Sequence, residues 1–109
     1  MTRTEIAQML DGIGPPVAYY SFPETGQAPP FICYFFSGDN DFLADDSNYQ
    51  KIDHLNIELY TDIKDFTIEE TIEAALSGAG LVYTRAETYI DGEKLYEVIY
   101  ETDVVITEG

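Results

Sequence analysis

Basic residues are scarce in this chain. Lys and Arg number 5 among 109 residues, against 21 Asp and Glu and one His, for a formal net charge of −16 at pH 7. Affinity for nucleic acid comes largely from Lys and Arg displacing counterions, so this balance argues against a conventional DNA or RNA binder, and an anionic membrane surface would repel the chain as well. Long apolar runs are also missing: none approaches the ~20 residues that span a bilayer. The start, Met1-Thr2-Arg3-Thr4-Glu5, lacks the apolar core of a signal peptide. Cysteine is reduced to Cys33, which cannot form an internal disulfide. These last two features point to synthesis in a reducing, intracellular compartment.

Catalytic signatures are absent too. The sequence has no Gly-rich phosphate loop, no Cys/His metal pattern and no nucleophile elbow. Cys33 sits in the most apolar stretch with no base nearby in sequence to lower its pKa, so it reads as a small core residue. Asp53-His54 with Ser21, Ser37 or Ser47 has the composition of a nucleophilic triad. Adjacent strand residues face opposite ways, however, so Asp53 cannot orient His54 without a local bend, and His54 reads as an exposed strand residue. Asp39-Asn40-Asp41 invites a calcium reading, but counting from Asp39 places Leu43 at the fifth position, Ala44 where Gly is needed and Gln50 where a bidentate Glu belongs. It is not an EF-hand, and the weaker alternative is a loose Ca²⁺ site on Asp45 and Asp46. No enzymatic activity, cofactor or resident metal is expected.

What is present builds a fold. The 45% hydrophobic and 14% aromatic content supports a packed core, and 109 residues suit one domain. Ile6, Met9, Leu10 and Ile13 recur at helical spacing behind a Thr2/Glu5 capping box, and Pro15-Pro16 cannot continue that helix. Val17–Phe22 and Phe31–Phe36 read as strands joined hairpin-fashion through turn-rich residues 23–30, the second central in its sheet and covered on both faces, with a neighbouring subunit as one candidate cover. Residues 37–48 form an acidic loop with Phe42 and Leu43 at its middle. In Leu55–Tyr60, Leu55, Ile57 and Leu59 face one way and His54, Asn56, Glu58 and Tyr60 the other; Lys51 and Asp53 share the apolar parity, which predicts a bulge near 52–54.

A second capping box, Thr67/Glu70, opens a helix with Ile68, Ile72, Ala75, Leu76 and Ala79 on one face. Glu69, Glu70 and Glu73 near its start read as a solvated, dipole-matched face. Strands Leu81–Ile90 and Lys94–Ile106 close the chain around Asp91-Gly92. A two-residue Asp91-Gly92 loop would set Arg85 opposite Val98 and mix a charge with the apolar row Tyr96, Val98, Tyr100; a three-residue loop with Gly92 left-handed is preferred, because it sets Arg85 opposite Glu97 on the outer face. The expected fold is α+β: a mainly antiparallel sheet of about five strands with two helices packed on it, in the order α-β-β-β-α-β-β, as a single domain spanning 1–109.

Several segments carry a family likeness. They are Pro16–Tyr19, Pro29–Tyr34, Asp39-Asn40-Asp41-Phe42 with Asp45, Tyr49-Gln50-Lys51, Ile57–Asp65, and Glu87–Ile90 with Tyr96-Glu97-Val98. Together, from Gly14 to about Glu101, the chain resembles the small tail-terminator and tail-completion (head–tail joining) proteins of long-tailed bacteriophages and prophages. The resemblance implies a non-enzymatic subunit that assembles into a ring, commonly a hexamer, between tail-tube and head-completion proteins. It also implies assembly in the bacterial host cytoplasm and a final place in the virion's tail or neck. An acidic ring would let DNA slide past without adhering. On this reading Asp39, Asp41, Phe42, Leu43, Asp45 and Asp46 are the candidate assembly-interface residues. The alternative is an acidic binding module that mimics nucleic acid in a basic partner's groove.

Overall fold

The computed structural model describes residues 1–23, 26–39, 42, 43 and 49–107, and of residues 39, 42, 43, 49 and 50 it describes the backbone alone. In chain order the elements are α1 (Arg3–Asp11), β1 (Val17–Tyr19), β2 (Phe31–Asp39), β3 (Phe42–Leu43), β4 (Tyr49–Thr61), α2 (Phe66–Gly78), β5 (Tyr83–Ile90) and β6 (Leu95–Ile106). The sheet runs β1-β2-β4-β6-β5, with β3 paired to β4. All pairings but β1–β2 are antiparallel, so the α+β class and the element order hold, with the short β3 added.

Strand parity assigns the two faces. Ile32 pairs with Leu59, Leu59 with Val98, Ile57 with Tyr100 and Leu55 with Thr102, so these side chains share one face. Ile6 and Leu10 of α1 and Ile72 and Leu76 of α2 join them, with Val104 and Ile106, in one buried cluster. Both helices therefore cover the same face. Burying each such aliphatic side chain contributes roughly 1.5–3 kcal/mol.

The helix ends follow from local chemistry. At α1, Thr2 Oγ1 accepts from the Glu5 N–H and the Glu5 carboxylate accepts from the Thr2 N–H, the expected capping box. At α2 the cap is Asp65 and not Thr67: its carboxylate accepts from the Ile68 N–H at 3.1 Å. Asp caps at least as well as Thr, and capping there adds Phe66 and Thr67 to the helix. Gly80 at φ +77 lets the chain leave, with the Leu81 N–H donating to the Leu76 carbonyl.

Three expectations about the sheet are corrected. First, β1 and β2 run parallel, Val17 beside Ile32 and Tyr19 beside Tyr34, and do not form a hairpin. Tyr20, left-handed at φ +70, ends β1, and the segment to Pro30 is long enough to return the chain to the start of β2. Second, β4 pairs with β6 without a break from Lys51↔Ile106 to Thr61↔Tyr96; the irregularity lies on β2 between Phe36 and Asp39, where Gly38 has φ +68. Asp53 thus stays on the helix-covered face, 3% exposed, because Arg3 reaches it from α1 at 2.6 Å.

Third, the β5–β6 turn takes Asp91–Lys94, pairing Ile90 with Leu95, and Lys94 at φ +56 holds the left-handed conformation in place of Gly92. Arg85 consequently lies opposite Tyr100, under α2 and not on the outer face. Glu69 and Glu73 of α2 receive its guanidinium, which removes the mixing of charge with apolar side chains that disfavoured this face from sequence. Glu69 is accordingly not solvated: it is 3% exposed.

Candidate functional site

The face away from the helices is built from alternate residues of β2, β4, β6 and β5. At the β2 end it is apolar. Phe31 and Cys33 point there, and the second cover of β2 comes from within the chain: Phe22 packs edge-on to Phe31 at 5.5 Å and Tyr20 lies 5.3 Å from Phe35. Tyr20, Phe22, Phe31 and Cys33, with Tyr60, Glu93 and Leu95, line a cleft of about 600 Å³. Burial, with Glu58 nearby, pushes the Cys33 thiol up, which suits a packing residue and not a nucleophile.

Toward β6 the same face becomes acidic. The Tyr60 hydroxyl donates its one proton to Glu97 at 2.8 Å, and its oxygen also lies 3.2 Å from Glu58. Burial and the neighbouring Glu97 raise the Glu58 carboxyl above its ordinary range. His54 Nε2 lies 2.8 Å from Glu101 and Nδ1 2.8 Å from Asp103. A neutral imidazole has one N–H and can satisfy only one of two carboxylates, so the site favours the doubly protonated ring, and hydrogen bonds to Glu101 and then Asp103 raise its pKa. Asp53 lies on the other face, so it does not orient His54. Ser37 accepts from Asn56 at 2.7 Å. Among the described residues no cluster of His, Cys, Asp and Glu is placed to hold a metal ion.

The bases are spent internally. Arg3 and Lys51 meet Asp53; Lys64 meets Glu69 and Glu87; Arg85 meets Glu69, Glu73 and Glu87. Four of the five Lys and Arg side chains thus neutralise the chain's own carboxylates. Hydrogen bonds to Glu69 raise the Arg85 pKa against the opposing effect of burial. For Lys64, burial alone would lower the pKa, and its bonds to Glu69 and Glu87 outweigh it.

Where α2 starts, an aromatic patch forms around Lys64, whose Nζ lies 5.1 Å from the exposed Phe66 ring and 6.0 Å from Tyr96, with the exposed Tyr89 edge-on to Tyr96 at 4.9 Å. The sequence reading missed this patch and the Glu69 network. A signal for the network was available in the unfavoured two-residue register, which put Arg85 on the apolar Tyr96, Val98, Tyr100 row, the face that α2 covers in the structure.

Of the sequence-selected interface residues, Asp39 ends β2 opposite Asp53, and Phe42 and Leu43 form β3 opposite Gln50 and Tyr49. The backbone thus brings these three positions alongside the first half of β4. Asp41, Asp45 and Asp46 lie outside the described residues.

No protein-family model matches the sequence, and the search of curated proteins found no match. Among solved structures, the chain is similar to a chain of the virion of a native gene transfer agent particle, at 16% identity and a TM-score of 0.54, over 91% of this chain and 85% of that one. At that identity the likeness is one of fold.

Proposed function

We propose that this chain is a non-enzymatic structural subunit of a phage or prophage virion, specifically a ring-forming tail terminator or tail-completion protein at the head–tail junction. The observation that carries this reading is the fold shared, over nearly its whole length, with a chain of a gene transfer agent virion. The charge distribution supports it. A net charge of −16, with four of five bases tied to the chain's own acids, leaves little surface cation to grip phosphates, as a channel past which DNA must slide requires.

In this reading the chain is one domain that assembles in the bacterial cytoplasm into a ring, a hexamer by the family resemblance, between tail-tube and head-completion proteins. The acidic stretch 37–48, with Asp39, Asp41, Phe42, Leu43, Asp45 and Asp46, contacts a neighbour or the lumen. The deciding experiment mixes purified protein with polymerised tail-tube protein and counts capped tube ends by negative-stain microscopy. Rings seated on tube ends and tubes of arrested length are expected. Bare ends and unrestrained growth at saturating protein would reject the assignment.

A further inference from the structure

The two edges of the sheet are protected very differently. β1 spans three residues and follows Pro15-Pro16, both devices that discourage pairing with another chain. β5 spans eight, has no proline or lysine, is exposed from Thr84 to Tyr89, and among the described residues has no strand on its outer side. Such an edge is a template for a further strand.

The residues along it are self-complementary in one register. If a second copy's β5 continues the sheet in antiparallel fashion with the helices on the same side, residues directly opposite must share a face, so the two-fold axis must pass through a residue position. An axis at Arg85 sets two guanidinium groups opposite each other, and an axis at Glu87 does the same with two carboxylates. An axis at Ala86 sets Arg85 opposite Glu87 of the second copy and Glu87 opposite its Arg85, with Thr84 facing Thr88 and Tyr83 facing Tyr89. Opposite charges, Thr–Thr and aromatic pairs are the cross-strand combinations that stabilise a sheet.

We propose that two copies of this chain pair edge to edge through β5, antiparallel about a two-fold axis at Ala86. Within one chain Arg85 and Glu87 already meet each other at 2.9 Å, besides Glu69 and Lys64, but each is about one-third exposed, which leaves room for the same two charges to be shared with a partner's Glu87 and Arg85. This contact closes on itself and so does not build a ring; it describes the free chain and stands independently of the tail-terminator reading.

Cysteine trapping tests the register. In a Cys33→Ala background, Ala86→Cys should give a covalent dimer on incubation with oxidised glutathione, because its thiol faces its own copy across the axis. Thr84→Cys alone should not, whereas the Thr84→Cys/Thr88→Cys double variant should. Sedimentation equilibrium of the unmodified chain should show a monomer–dimer equilibrium, weakened roughly tenfold by Ala86→Lys, which sets two ammonium groups side by side. A strict monomer at every concentration, equal trapping at 84 and 86, or higher oligomers without the 86–86 disulfide would overturn the proposal. If Ala86→Lys loses its circular-dichroism signal, the trapping pattern alone decides.

Discussion

Glu69 shows how one buried carboxylate can organise a flank of the molecule. It is held by Lys64 from the β4–α2 connection and by Arg85 from β5, both at 2.5 Å. Removing its charge by Glu69→Gln takes away the buried partner of both cations and leaves Lys64 and Arg85 to share the part-exposed Glu87, with Glu73 3.7 Å from Arg85. A fully buried broken pair costs about 3–5 kcal/mol; with Lys64 and Arg85 partly exposed, a loss of roughly 1–3 kcal/mol is expected in urea unfolding. A change within a few tenths would mean that solvent already screens the pair. His54 makes the complementary case on the open face. Its pKa is raised by Glu101 and Asp103, so its contribution is complete below about pH 6.5, the unfolded value, and fades as pH rises through the folded one. NMR titration should place the His54 midpoint above 6.5, and Glu101→Gln/Asp103→Asn should return it toward that value. A midpoint at or below 6.5 in the unaltered chain would contradict the doubly bonded geometry.

Among the elements, the α2 cap separates two readings of the same sequence. Asp65→Ala should cost about 1 kcal/mol in thermal or urea unfolding, while Thr67→Ala should be close to neutral, because the Asp65 carboxylate takes the Ile68 N–H. The reverse ranking would restore Thr67 as the cap. Helices and strand faces were legible in the sequence because period is a local property: Ile6/Leu10, Ile72/Leu76 and Leu55/Ile57/Leu59 all bury as their spacing requires. What was not legible depends on partners distant in sequence. The parity of Asp53 looked like a broken strand until Arg3 met it from α1, and Arg85 looked misplaced until Glu69 and Glu73 met it from α2. The direction of β1 was hidden for a similar reason, since turn-rich residues 23–30 serve a return crossover as readily as a hairpin. At the candidate interface the sequence selected Phe42 and Leu43, whose backbone lies in β3, but nothing local signalled that two residues there would pair with β4.

At the scale of the whole molecule, charge of one sign sets the terms. A net charge of −16 on 109 residues repels itself, and salt screens exposed charges within about 10 Å at 0.1 M while sparing the partly buried pairs around Asp53 and Glu69. The melting temperature should therefore rise, by on the order of 5 °C, between low salt and about 0.5 M NaCl; a fall would show that the internal ion pairs outweigh the self-repulsion. The same arithmetic bears on assembly. In the proposed ring, copies this acidic repel one another over most of their surface, the mixed-charge β5 edge apart, so the free energy that holds the ring together should come mainly from apolar contacts, with the charges setting what is kept out. Phe42 and Leu43 are the apolar pair within the otherwise acidic stretch 37–48. Phe42→Ala and Leu43→Ala are accordingly expected to reduce tube capping, each by roughly tenfold or more, whereas Asp45→Asn and Asp46→Asn should leave it nearly unchanged at moderate salt. Capping titrations of the four variants against tail-tube protein would measure this, and a larger loss from the Asp changes would mean that the segment works through its carboxylates.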